Sequence, residues 1–154
     1  MLYSVVLLVH AWLRWLVVLA ALLSLSRAFS GRAGHKLWSQ ADDRSLQLFT
    51  LSLDVQFTFG LILYIGISPI TAVAFQNLSA AMRDPSLRFF VVEHAIGMIA
   101  AVALAHVGRV KVRRAATAEA KHRAALLFVS LALIAILISI PWPWMPGGRP
   151  LFRL

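Results

Sequence analysis

The stretch LYSVVLLVHAWLRWLVVLAALLSL, Leu2 to Leu25, decides the fold. It carries one full charge, Arg14, and one imidazole, His10, in an otherwise apolar run. A bilayer core of about 30 Å needs ~20 residues of helix at ~1.5 Å each, and this run supplies them. The segment lacks a basic n-region and exceeds the apolar length of a secretion signal, so it is expected to stay as a helix.

Working outward, Leu46 to Ile67, Leu87 to Val110 and Ala124 to Ile140 are of similar length and character. With 60% hydrophobic residues and a mean hydropathy of +0.81, the chain is too apolar for a water-soluble domain of its size. In lipid, backbone groups must be satisfied within each segment or around a closed barrel, and the alternating pattern of a barrel is absent. The expected fold is therefore all-α: a transmembrane four-helix up-down-up-down bundle forming a single integral membrane domain over residues 1–154.

A net charge of +9 raises the question of nucleic acid. The basic residues instead follow membrane topology. Arg27, Arg32, Lys36 and Arg44 fall between spans one and two, and Arg109, Lys111, Arg113, Arg114, Lys121 and Arg123 between spans three and four. The other connection has only Arg83 and Arg88, and the tail only Arg149 and Arg153. The positive-inside rule then puts both termini on the outer, periplasmic side of a bacterial cytoplasmic membrane. Expected partners are the bilayer, including its anionic lipids, and other membrane subunits, with no nucleic acid. The chain has no cysteine, which excludes disulfides, thiolate metal sites and covalent haem attachment.

The outer connection, 68–86, begins Ser68-Pro69 and contains Arg83-Asp84-Pro85, a stop and start pattern that predicts a short interfacial helix. After span four, Trp142 and Trp144 suit the headgroup layer, and Gly147-Gly148 predicts a loose tail. His35 and His122 fall in basic loops and are expected to be solvated.

His10 and His94 lie in different spans, each roughly 10 to 12 Å below the outer boundary if the helices alternate in direction. Laying Val9-His10-Ala11 over Glu93-His94-Ala95 gives a faint repeat that would set the two histidines opposite each other across the bundle. An imidazole in hydrocarbon needs a partner, and two at one depth can hold one iron from opposite sides. Gly97, Met98, Ala101, Ala105 and Gly108 share the face that His94 begins, a flat stripe suited to a neighbouring helix or a planar macrocycle. This makes His10 and His94 candidate axial ligands of a non-covalent haem b, with Gly97 and Ala101 as candidate cofactor contacts. Arg83, Arg88 and Arg149 are available for its propionates. His106 is twelve residues past His94, about 120° around the helix, so a second haem on that face is not expected. It reads as an interfacial residue.

Arg14 and Asp54 are both placed near the membrane centre, where either charge costs about 2.5 to 3.5 kcal/mol, so an intramembrane ion pair is expected. With Thr50, Gln56 and Thr58 nearby in span two, that pair is also a candidate proton or quinone-headgroup site. Glu93 points about 100° away from His94 and is free to pair with Arg14 or an outer arginine.

The runs HAWLRW (His10 to Trp15), LRFFVVEH (Leu87 to His94) and IPWP (Ile140 to Pro143) together resemble small four-span bacterial membrane proteins known loosely as cytochrome b-like. The resemblance covers nearly the whole chain and implies a four-helix bundle with non-covalent haem b ligated by His10 and His94. Unlike larger membrane cytochromes b, the chain lacks a second histidine pair. The function expected is a redox subunit passing electrons between a quinol and a partner. The alternative is a cofactor-free accessory subunit of a respiratory or photosynthetic complex. No nucleophile, base and oxyanion donors can be assembled into a free-standing enzyme site.

Overall fold

The computed structural model describes residues 1–153, and among these the chain is helical with no strand. Helix α1 runs Leu2–Ala33 and α2 Gln40–Leu61, the latter continuing into a π-helical stretch, Ile62–Ile67. Three short helices follow: α3 (Pro69–Gln76), α4 (Leu78–Arg83) and α5 (Pro85–Arg88). A second π-helical stretch, Phe89–Glu93, leads into α6 (His94–Arg114), and α7 covers Ala118–Ser139. Four helical runs, Leu2–Ala33, Gln40–Ile67, Pro85–Arg114 and Ala118–Ser139, are long and apolar enough to cross a membrane. They mark a multi-pass membrane protein whose outward apolar side chains contact lipid.

The long helices run past the hydropathic spans at their basic ends, because capping rather than hydropathy sets where a helix begins. At Ser39 the side chain accepts from the Asp42 amide at 3.3 Å while Asp42 Oδ2 accepts from the Ser39 amide at 2.8 Å. This reciprocal box starts α2 well before Leu46. Thr117 Oγ1 accepts from the Ala120 amide at 3.2 Å and starts α7 before Ala124. The connection 68–86, read as one interfacial helix, is three short ones. Ser68, Asn77 and Asp84 cap them in turn, and Pro69 and Pro85 occupy first-turn positions.

Helix α1 packs on α2 and α7, and α6 packs on α7 and α2, so α1 and α6 face each other across the bundle axis. Val17, Ala21, Phe49, Leu53, Ala101 and Ala132 fill the interior. Small residues set the close approach of α6 to α7: a Cβ at Gly97 would collide with Ser139 Oγ, and one at Gly108 with Phe128.

The basic end holds a correction. His122 is not a solvated loop residue but a side chain of α7, 1% exposed. Gly31 of α1 makes the room, since any Cβ there would strike the His122 ring. Trp38 lies over the imidazole with centroids 5.0 Å apart, and Nε2 is 3.2 Å from the Lys36 carbonyl oxygen. His35, by contrast, is exposed and takes a positive φ of 48° in the turn after α1.

Gly31→Val should therefore overpack the α1–α7 contact at a cost of about 1 to 3 kcal/mol. The expected outcome is a lower thermal unfolding midpoint in detergent, partly recovered in Gly31→Val/His122→Ala.

Candidate functional site

Near the end of the bundle opposite His122, all four long helices send a group to one level. His10 of α1 and His94 of α6 approach across the axis, their ring centroids 6.3 Å apart and their planes crossed at 71°. Their hydrogen bonds come from the other two long helices. His94 Nδ1 is 2.7 Å from the Ser139 carbonyl oxygen of α7, which can only accept, so Nδ1 carries the proton and Nε2 is the bare nitrogen. His10 Nε2 is 3.2 Å from the Gln56 side-chain amide of α2. His10 Nδ1 and Gln56 Oε1 are buried without partners. With the amide nitrogen donating to His10 Nε2, the ring proton is on Nδ1; with the amide turned by half a turn, Oε1 accepts from Nε2–H, Nδ1 holds a lone pair, and the amide NH2 is the group without a partner. Gly60, one turn beyond Gln56, lets the imidazole lie against α2, for a Cβ there would sit 3.2 Å from His10 Cε1.

Both π-helical stretches flank this level. The extra residue in a π turn frees carbonyl oxygens from the usual ladder, and such turns are frequent at functional sites. Tyr64 in the first stretch donates to the Val91 carbonyl in the second at 2.8 Å, joining the two irregular segments. Phe89 and Phe90 crowd His94 at centroid distances of 6.1 and 6.3 Å.

The histidines line a cavity of about 120 Å³ whose other walls include Tyr64, Phe90, Met98 and Ile136. Three arginines, Arg14, Arg149 and Arg153, line it, and among the described residues no Asp or Glu does. The site is thus apolar with a positive rim. Arg14, 9% exposed, keeps Nε unpartnered.

The described tail after α7 lines the cavity and, where Gly147-Gly148 predicts a loose segment, is bonded back to α1. Gly147 takes a φ of +73°, turning the chain where a Cβ would meet Ser86. The backbone then returns along α1. The Leu151 carbonyl accepts from Arg14 Nη2 at 2.7 Å and from Trp15 Nε1 at 3.0 Å, and the Arg153 carbonyl from Trp12 Nε1 at 3.0 Å. Phe152 packs on both indoles, at 5.8 Å from Trp12 and 5.5 Å from Trp15. These donors satisfy carbonyls of an irregular segment that would otherwise meet lipid.

Several expected contacts are placed differently. Arg14 and Asp54 do not pair: Arg14 bonds the tail, and Asp54 Oδ1 lies 2.8 Å from His106 Nε2. Gln56 faces inward to His10, so Asp54, two residues back and about 200° around α2, faces outward. Gly97 and Ala101 do not line the cavity. Gly97 backs onto Ser139 and Ala101 is fully buried in the core, so the small-residue face serves the α6–α7 contact. Glu93 pairs with Arg88 at 2.8 Å, which occupies one of the outer arginines. Of those arginines Arg149 alone reaches the cavity, and Arg153, not singled out from sequence, joins it.

Searches against known protein families, curated proteins and solved structures gave no match.

Replacing Arg14 by Leu leaves the Leu151 carbonyl with the Trp15 indole alone. Hydrogen exchange of amides near the chain end should quicken several-fold in Arg14→Leu and further in Arg14→Leu/Trp15→Phe, while exchange in α6 and α7 stays unchanged.

Proposed function

We propose that this protein is a membrane-embedded b-type cytochrome-like redox subunit in which His10 and His94 are the axial ligands of one haem b. The single observation that carries the reading is the 6.3 Å separation of two crossed imidazoles from opposite helices. With metal–nitrogen bonds of about 2.0 to 2.1 Å, two rings sharing one metal ion through facing nitrogens have centroids about 6 to 6.5 Å apart. Among the described residues no cluster of three or more His, Cys, Asp or Glu could hold a bare ion. Two imidazoles alone suit an iron that brings its remaining ligands in a macrocycle.

The donor set fits that group. His94 offers Nε2, with its tautomer fixed by the Ser139 carbonyl, and His10 offers Nδ1, the nitrogen left unpartnered. Arg14, Arg149 and Arg153 would give propionates cationic partners, and among the described residues no Asp or Glu of the lining competes for them. Haem b would supply one-electron chemistry, and the Gln56 amide, the Ser139 carbonyl and the arginines beside the histidines would tune its potential. A porphyrin exceeds the 120 Å³ void. Haem binding would require the walls to part, and the α2–α6 seam is the least closely packed of the four.

The wider reading is a carrier that passes electrons between a quinol and a partner protein in a bacterial cytoplasmic membrane, with both termini and the haem toward the outer side. Two contacts support the alternating path: Arg27 near the end of α1 with Asp42 near the start of α2, and His94 at the start of α6 with Ser139 at the end of α7. The basic residues gather at the Arg27 end, as the positive-inside rule requires of the cytoplasmic side.

Protein purified from cells supplied with haem should give a reduced-minus-oxidised spectrum with the bands of b-type haem, lost in His10→Ala and in His94→Ala. A folded, monodisperse preparation with no such bands refutes the assignment and returns the chain to the accessory-subunit reading. For topology, alkaline phosphatase fused after Arg153 should be active, and fused after Ala115 inactive.

A further inference from the structure

The Asp54–His106 pair lies outside the histidine cavity and remains without a role. It sits on the lipid-facing side of the α2–α6 seam, with His106 52% and Asp54 39% exposed. Apolar residues surround it: Leu51 on the Asp54 face of α2, and Ile99 and Val110 on the His106 face of α6, all exposed. His106 is twelve residues from His94, about 18 Å along the axis, and Asp54 faces away from the cavity that Gln56 lines, so neither residue of the pair belongs to that site. On α6 the pair lies one turn from Arg109, and on α2 Asp54 sits midway along the Gln40–Ile67 run.

We infer that Asp54 and His106 form a binding site for the headgroup of an isoprenoid quinol or quinone. The inference rests on the redox reading above for its purpose, but its chemistry stands on the pair itself. A hydrogen-bonded imidazole and carboxylate facing hydrocarbon are costly, and lipid tails offer them nothing. Among the described residues, His106 Nδ1 and Asp54 Oδ2 make no other hydrogen bond. With a neutral imidazole donating Nε2–H to the carboxylate, both free atoms are acceptors, and the matching ligand is a hydroxyl donor such as a quinol. With the imidazole protonated, Nδ1 becomes a donor, and the matching ligand is a quinone carbonyl. Phospholipid ester carbonyls only accept and meet just the second state. A ligand that serves both states and carries an apolar tail to lie along Leu51, Ile99 and Val110 is a membrane quinone in its two oxidation states.

The test is equilibrium binding of decylubiquinone and its reduced form to the full chain in lipid nanodiscs, alongside the haem spectrum of each sample. The native chain is expected to bind saturably. Asp54→Leu and His106→Leu should each weaken binding by at least about tenfold, the loss expected for hydrogen bonds to charged partners, with the haem spectrum unchanged. Asp54→Asn, which keeps the side-chain shape, should weaken binding of the quinol form more than the quinone form. His10→Ala should lose haem and keep quinone binding. Binding by haem-free native protein therefore supports this site while removing the haem assignment. Absent saturable binding, or equal affinity in Asp54→Leu and His106→Leu, overturns the inference, as does binding lost in His10→Ala but kept in Asp54→Leu.

Discussion

An imidazole removed from water must be hydrogen-bonded, and this requirement organises one end of the bundle. His10 and His94 come from diagonal helices, and their partners come from the two others: the Gln56 amide of α2 and the Ser139 carbonyl of α7. Four helices thus converge through polar groups at a single level. Between helices surrounded by lipid there is little hydrophobic driving force, so hydrogen bonds and close small-residue packing set the register. Gly97 against Ser139 brings α7 near enough for its carbonyl to reach His94, and Gly60 lets His10 lie on α2. The glycines and the histidines are parts of one arrangement.

Irregular backbone gathers around that level. The two π-helical stretches, tied by Tyr64 to Val91, and the returning tail all carry carbonyl groups outside the regular helix ladder. Each is tolerated at membrane depth because side chains supply donors, and Arg14, Trp12 and Trp15 do so for the tail. Arg14 thereby does two things: its Nη2 holds the strap over the cavity, and its charge faces the apolar slot beside the histidines. Among the described residues no acidic side chain pairs with this cation.

The spans were legible because twenty apolar residues in a row have one stable arrangement in a bilayer. The helix ends were not, since Ser39, Asp42 and Thr117 extend the helices through polar sequence that hydropathy treats as loop. The common depth of His10 and His94 followed from helical rise alone. Their partners did not, because the Ser139 acceptor is a main-chain oxygen that any residue type would provide. Depth without azimuth accounts for the expected Arg14–Asp54 pair. Counting 100° per residue from Gln56 would have turned Asp54 outward, toward His106. His122 was misplaced because a charged flank looked like a loop, and the vacancy at Gly31 that receives it has no signature until α1 and α7 are side by side.

The central claim, that His10 and His94 share one iron, is tested most directly by electron paramagnetic resonance of the oxidised protein. With ring planes crossed at 71°, the account predicts a low-spin ferric signal of the strongly anisotropic type given by nearly perpendicular imidazole ligands. A high-spin ferric signal, or a low-spin signal that persists unchanged in His94→Ala, would contradict it.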